Sequence, residues 1–200
     1  MKKINIDAFM NKSFFQDQKF ENVRFSGKAP EPADYENCIF TACDFSDSDL
    51  SDSNFLECAF IACNLSLTKL VNTSIRETLF RDCKLLGLRF EDCSRLFLSF
   101  EFENCSVDLC SFNKLILNGT KFRNSRITES DFTGSDLKRS SFIKCDLQRS
   151  VFRNTDLEGV DFSSSFNYSI DPSSNRIKKA RFAISGLPGL LDKFDIEIEE

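Results

Sequence analysis

Large apolar residues recur at every fifth position over most of this chain, and a small residue stands two before nearly every one of them. In Ala33-Asp34-Tyr35-Glu36-Asn37, Cys38-Ile39-Phe40-Thr41-Ala42, Cys43-Asp44-Phe45-Ser46-Asp47, Ser48-Asp49-Leu50-Ser51-Asp52 the unit reads small, polar, large apolar, then two variable residues. With the large residue taken as the centre, one register runs through Phe20, Phe25, Tyr35, Phe40, Phe45, Leu50, Phe55 and on to Phe90. It slips by two residues over 91–96, where Arg95 would otherwise be a centre, and resumes at Phe97, Phe102, Val107 and onward to Phe162.

A helix repeats every 3.6 residues and a strand every 2, so neither buries each fifth residue together with the one two before it. A chain that turns a corner at each pentapeptide does. Four sides make a square coil, and coils stacked at roughly the strand spacing of 4.8 Å pair their backbones above and below. The pattern therefore predicts an all-β fold, a quadrilateral β-helix over residues 13–166. Residues 33–166 supply roughly six to seven coils, a rod on the order of 30 Å long.

Proline marks the edges of this region. All four (Pro30, Pro32, Pro172, Pro188) lie outside 33–171, where a missing donor would break the pairing between coils. Residues 26–32 are expected to form a surface loop, and residues 1–12 an N-terminal capping segment. After Phe166 the repeat stops. Leu187, Leu190, Leu191 and Phe194 then fall at i, i+3, i+4 and i+7, which predicts a short C-terminal α-helix, and 195–199 alternate like a strand. A stack of coils has an open apolar end, so 167–200 are expected to cap the rod and to join two rods through those four side chains.

Composition fits a repeat rather than a catalytic inventory. Of 23 phenylalanines, sixteen sit at centres and belong to the core, while Trp is absent. Net charge is −5, which weighs against direct nucleic-acid binding, because phosphate must be neutralised by excess Lys and Arg. Between 29 and 68 there are eight carboxylates (Glu31, Asp34, Glu36, Asp44, Asp47, Asp49, Asp52, Glu57) and no base, whereas from 121 to 153 eight bases face four acids. The plain reading of such a run is a solvated face. The functional reading is an acidic recognition surface on a rigid rod, imitating a polyanion. The N-terminus carries Lys2 and Lys3 but no long apolar run, and no window approaches the length of a membrane span, so a cytoplasmic protein with no membrane contact is expected.

Histidine is absent, which removes the commonest general base and metal ligand. The nine cysteines all occupy the small position of the repeat, with spacings unlike paired zinc-ligand motifs. They read as small buried packing residues, free of disulfides. Gly186 and Gly189 lack the spacing of a phosphate-binding loop. No enzyme activity, cofactor or metal site is expected.

The units Ser130-Asp131-Phe132, Ser135-Asp136-Leu137, Cys145-Asp146-Leu147, Thr155-Asp156-Leu157 and Val160-Asp161-Phe162 resemble the pentapeptide-repeat family. That resemblance implies a right-handed quadrilateral β-helix. Within the family, Cys43-Asp44-Phe45-Ser46-Asp47-Ser48-Asp49-Leu50 and Ile170-Asp171-Pro172 with Leu190-Leu191 are similar to the Qnr-type quinolone-resistance proteins, although most of the Qnr loop insertions are lacking here. The similarity implies a non-enzymatic homodimer joined at its C-terminal ends, which imitates DNA to bind DNA gyrase and topoisomerase IV and so protects them from quinolones. The other reading is a rigid interaction scaffold whose partner is an unrelated protein.

Overall fold

A computed structural model of the chain describes residues 13–199; the expected N-terminal cap at 1–12 lies outside the described residues. Each pentapeptide forms a very short straight side whose centre points inward. Strands Asp34–Glu36, Ile39–Thr41 and Asn54–Leu56 each bury their middle residue alone. Two residues after most centres the chain turns through the left-handed region, as at Asn37 (φ 49°), Ala42 (51°), Asp47 (54°) and Asp52 (61°). Asn and Asp tolerate that conformation best among residues with a side chain, and they recur there.

Four sides result, and every pairing between coils is parallel. The first side stacks Phe14–Gln16, Asp34–Glu36, Asn54–Leu56 and Ser74–Arg76, in that order. The second is a seven-stranded ladder from Lys19–Glu21 to Ser141–Ile143. The third pairs Lys84–Leu86 with Ser106–Asp108 and continues through isolated bridges such as Asp44 with Asn64. Bridges such as Asp49 with Lys69 and Arg89 with Ser111 make the fourth. The bonding rule recurs along the rod: a centre N–H donates to the coil above, as Phe45 to Asn64 O (2.7 Å), and the residue before it donates to the coil below, as Asp44 to Val23 O (2.9 Å).

The axis is packed with rings. On the second side Phe20, Phe40, Phe60, Phe80, Phe102, Phe122, Phe142, Phe162 and Phe182 stack in one unbroken column, with centroids 4.5–5.4 Å apart. Neighbouring sides meet this column edge to face, as Phe40 does with Phe45 at 5.7 Å. Both geometries are the favoured ones for aromatic pairs.

The small residue two before each centre is buried as expected, and it does more than fill a corner. Where it is Cys, Ser or Thr, its hydrogen donates to a centre carbonyl, usually that of the coil below: Cys63 Sγ to Phe40 O (3.3 Å), Thr73 Oγ1 to Leu50 O (2.9 Å), Ser140 Oγ to Leu117 O (2.7 Å) and Ser165 Oγ to Phe142 O (2.6 Å), whereas Ser48 and Ser135 donate to the preceding centres Phe45 and Phe132 of their own coil. Cys, Ser and Thr are interchangeable there because each supplies one short donor.

The coil does not stop at Phe166: Leu157 N–H donates to Arg176 O and Phe162 N–H to Arg181 O (both 2.8 Å), so the stacking runs on to Phe182. Four further expectations need correction. Residues 26–32 are not an inserted loop but the fourth side of the first coil: Gly27 N–H donates to Ser46 O (3.0 Å) and Asp49 N–H to Lys28 O (2.9 Å), so the twenty-residue spacing holds. Pro30 replaces the apolar centre, and Pro30 and Pro32 lack the N–H groups that this side would direct to the coil above. Second, Phe97 is not a centre. It is 71% exposed with φ 57°, and Phe100 enters the core instead, against Phe90 and Phe102. Third, the C-terminal helix Ile184–Leu190 is 3₁₀ rather than α. Gly186, Pro188 and Gly189 disfavour α geometry within so short a segment, and the two glycines are needed where the helix presses onto Tyr168: a Cβ at Gly186 would overlap Tyr168 Oη, and one at Gly189 the Tyr168 carbonyl. Fourth, residues 195–199 form no strand, since no neighbouring strand edge pairs with them.

Candidate interaction surfaces

The eight predicted carboxylates do not share one face. Asp34 and Glu36 lie on the first side of the second coil, residues 33–52. Asp44 lies on its third side and Asp49 on its fourth, with Asp47 and Asp52 at the corners that follow. Glu31 ends the fourth side of the coil below, and Glu57 occupies a corner of the coil above. The acids thus form a collar around three sides of the rod. The remaining side is uncharged at this level, carrying Ile39, Thr41 and Ala42 beneath Ala59, Ile61 and Ala62.

Some of these carboxylates also build the coil. Asp44 Oδ1 accepts from Ser46 N–H (3.1 Å) and Ser46 Oγ (2.7 Å), and Asp49 Oδ1 does the same with Ser51. The Ser51 hydroxyl, then its N–H, hold the Asp49 carboxyl below the usual carboxylate range. Asn64 performs the identical task one coil up, accepting from Ser66 N–H and Oγ at 3.1 and 2.7 Å. The bond therefore requires an oxygen at this position and not a charge. Asp52 accepts from Asn72 Nδ2 (2.8 Å) and Asp34 from Asn54 Nδ2. Lys69 approaches Asp49 only to 4.0 Å.

At the C-terminal end the four predicted side chains divide. Leu190 packs against the core and Leu191 is half-buried, while Leu187 and Phe194 stand out in solvent. Turning three residues per turn rather than 3.6, the segment cannot align all four on one stripe. Ile184, 88% exposed, and the exposed Ile196 and Ile198 enlarge the apolar end.

The cysteines are free and buried. Burial, then Asp92 and Glu91, pushes the Cys93 thiol up to about 12, and burial pushes Cys110 to about 12. In the stack Cys43, Cys63, Cys83 and Cys105, hydrogen bonds between thiols and then burial raise Cys43 and Cys83. Cys63 is lowered by hydrogen bonds from both neighbours, but only 2% of it is exposed. None presents an accessible thiolate. Among the described residues no group of three or more Cys, Asp or Glu could hold a metal ion. No described helix is long and apolar enough to cross a membrane.

The repeat is matched by two family descriptions, "Pentapeptide repeat region" over residues 33–109 and "Pentapeptide repeats (8 copies)" over 108–142 and 130–165. The chain belongs to the pentapeptide-repeat family. Its fold is accordingly the right-handed quadrilateral β-helix of that family. No curated protein sequence matches it significantly. Among solved pentapeptide-repeat structures it is similar to a trypsin-treated variant of QnrB1, a plasmid-mediated fluoroquinolone resistance protein: TM-score 0.60 at 19% identity, covering 94% of this chain and 98% of that one. Full-length QnrB1 gives 0.59 at 18%, covering 92% and 100%. HetL, a pentapeptide-repeat protein involved in heterocyst differentiation regulation from the cyanobacterium Nostoc sp. strain PCC 7120, gives 0.55 at 15%, covering 86% and 88%. At these identities the likeness is one of fold.

One feature of this pentapeptide-repeat protein lay outside the candidate residues. At the register slip Leu96 and Phe97 project, 67% and 71% exposed, and the adjoining Leu98 borders a groove with Ile116, itself 71% exposed. The signal in the sequence was the run Leu96-Phe97-Leu98, three apolar residues where the repeat allows one.

Proposed function

We propose that this chain is a non-enzymatic, cytoplasmic binding protein whose acidic collar imitates a polyanion and occupies a cationic surface of a type II topoisomerase, protecting that enzyme from quinolones. The observation that carries the reading is the collar: carboxylates on three sides of one coil, with no Lys or Arg between residues 29 and 68. A rigid wall holds these charges in place before binding, which lowers the ordering cost of association. The fold likeness to QnrB1 supports the same reading. The apolar C-terminal end, with Leu187 and Phe194 exposed, supports pairing with a second copy there. Light scattering tests that part: a mass near twice 22.9 kDa is expected, and a monomer would confine those side chains to capping their own coil.

Purified protein should relieve quinolone inhibition of gyrase supercoiling. The variant carrying Asn at Asp34, Asp44, Asp47, Asp49 and Asp52 should not, although its coil folds, since Asn64 serves the turn that Asp44 and Asp49 serve, Asn37 and Asn72 stand at the corner position of Asp47 and Asp52, and Asn54 stacks on Asp34. No effect of the wild type at micromolar concentration would remove the topoisomerase reading. A second reading, a scaffold for an unrelated protein, draws on the comparable likeness to HetL. A lysate pull-down that captures another protein and no topoisomerase would favour it.

A further inference from the structure

The register slip removes one strand from the first side of the rod. Ser94 N–H donates to Thr73 O (2.9 Å) and Ser99 N–H to Ile75 O (3.0 Å), so the chain spends five residues where the coil below spends two. The surplus leaves the wall as the 95–98 loop. Its returning arm is bound to the coil below, with Thr78 N–H donating to Ser99 O (3.3 Å) and Glu77 N–H to Ser99 Oγ (2.9 Å). That attachment draws the arm away from the coil above. There, Ile116 N–H and Asn118 N–H have no acceptor among the described residues.

Where an aspartate or asparagine precedes the centre of a regularly stacked coil, both of these donors are satisfied. The residue before a centre donates to the coil below, as Asp136 N–H to Leu115 O (2.8 Å). The residue after a centre donates to the aspartate two before it, as Thr133 N–H to Asp131 Oδ1 (2.8 Å) and Lys138 N–H to Asp136 Oδ1 (3.2 Å). Here isoleucine stands in the aspartate's place, so both devices fail on one edge. The gap is a groove of about 480 Å³, bordered by Glu77, Leu79, Leu98, Glu101, Ile116 and Asn118. Glu101 is already neutralised by Lys121 (2.7 Å) and Arg123 (3.0 Å). Glu77 has no ion pair among the described residues.

We propose that this groove binds an extended peptide segment of a partner protein as an added strand. Two of its carbonyls accept from Ile116 and Asn118 N–H, an apolar side chain covers Leu98 and Ile116, and a Lys or Arg meets Glu77. Unpaired strand edges recruit extended chains in this way, backbone bonds giving affinity and flanking side chains giving choice. The flat wall of a second rod does not enter, because the projecting Leu96 and Phe97 hold it off while a single strand fits beside them. The groove is separate from the acidic collar, and the two are tested by different substitutions.

The test is selection of displayed random linear peptides on the wild-type protein, then fluorescence polarisation of the enriched peptide and amide exchange of the complex. The enriched sequences should combine an apolar residue with Lys or Arg, and their binding should protect the Ile116 and Asn118 amides. Ile116→Asp restores the family's own acceptor beside Asn118 N–H, so it should fold as well as wild type and weaken the peptide by about tenfold or more. Glu77→Lys should weaken it similarly. No enrichment, peptides indifferent to both substitutions, or a wild-type self-association abolished by Ile116→Asp would each overturn the proposal.

Discussion

A corner carbonyl that turns inward has to be satisfied from within the rod, and this decides which small residues the repeat accepts. Ser140 donates to Leu117 O, and Cys145 meets the same need at Phe122 O (3.5 Å). Ser140→Ala removes one of two bonds to Leu117 O, which keeps Thr120 N–H (3.2 Å), and should cost about 0.5–1.5 kcal/mol in urea unfolding, while Ser140→Cys should cost less. A neutral alanine would show that the corner is only a question of size. Phe60 lies between Phe40 (4.7 Å) and Phe80 (5.2 Å) in the ring column, and Phe60→Ala should cost about 3–5 kcal/mol in the same assay. The inward direction of both kinds of residue was legible from spacing alone. The donor role was not drawn from it, because a small residue at a corner satisfies a steric argument before a hydrogen-bonding one is needed; the signal was the preference for Cys, Ser and Thr over Ala and Gly.

The C-terminal cap is the element in which local pattern and final geometry diverge most. A stripe at i, i+3, i+4 and i+7 located the helix, but whether it winds as α or 3₁₀ depends on contact with Tyr168, which no local window contains. The segment 26–32 departs from its local pattern for a related reason: two prolines signal a loop, whereas the coil above holds the segment at its usual spacing. The cap is tied down by Ile170 N–H donating to Gly189 O (2.8 Å) and by the ion pair between Lys193 and Asp171 (2.6 Å). Hydrogen bonds from Lys193, then Ser173, hold the Asp171 carboxyl well below the usual carboxylate range. A carboxyl depressed by folding contributes stability above its unfolded value of about 4 and loses that contribution as the pH falls further. The protection factor of the Ile170 amide, its exchange rate relative to the intrinsic rate at each pH, should accordingly fall below pH ~4 while that of Phe122 holds, and Lys193→Met should remove the pH dependence. Equal loosening of cap and central coils would contradict this. Gly189→Ala should release the cap at neutral pH, detected by the same probe.

Across the whole molecule the repeat sets the interior, and identity is carried by departures from it. The acidic run was legible as a run, but its wrapping around three sides was not, because it required assigning each residue to a side of the coil. The groove at the slip was hidden for a different reason: it consists of backbone donors left over when a strand departs, and residue types record that only through Ile116 standing where aspartate recurs. The central claim is that the collar is a binding surface and not merely a solvated one, and it is tested most directly by titrating purified gyrase onto immobilised protein at low and high salt. Wild type should bind at micromolar concentration or tighter and weaken with salt, and the variant with Asn at Asp34, Asp44, Asp47, Asp49 and Asp52 should lose about tenfold or more while melting at the same temperature. Equal binding by the two proteins, or no binding by either, would contradict the account.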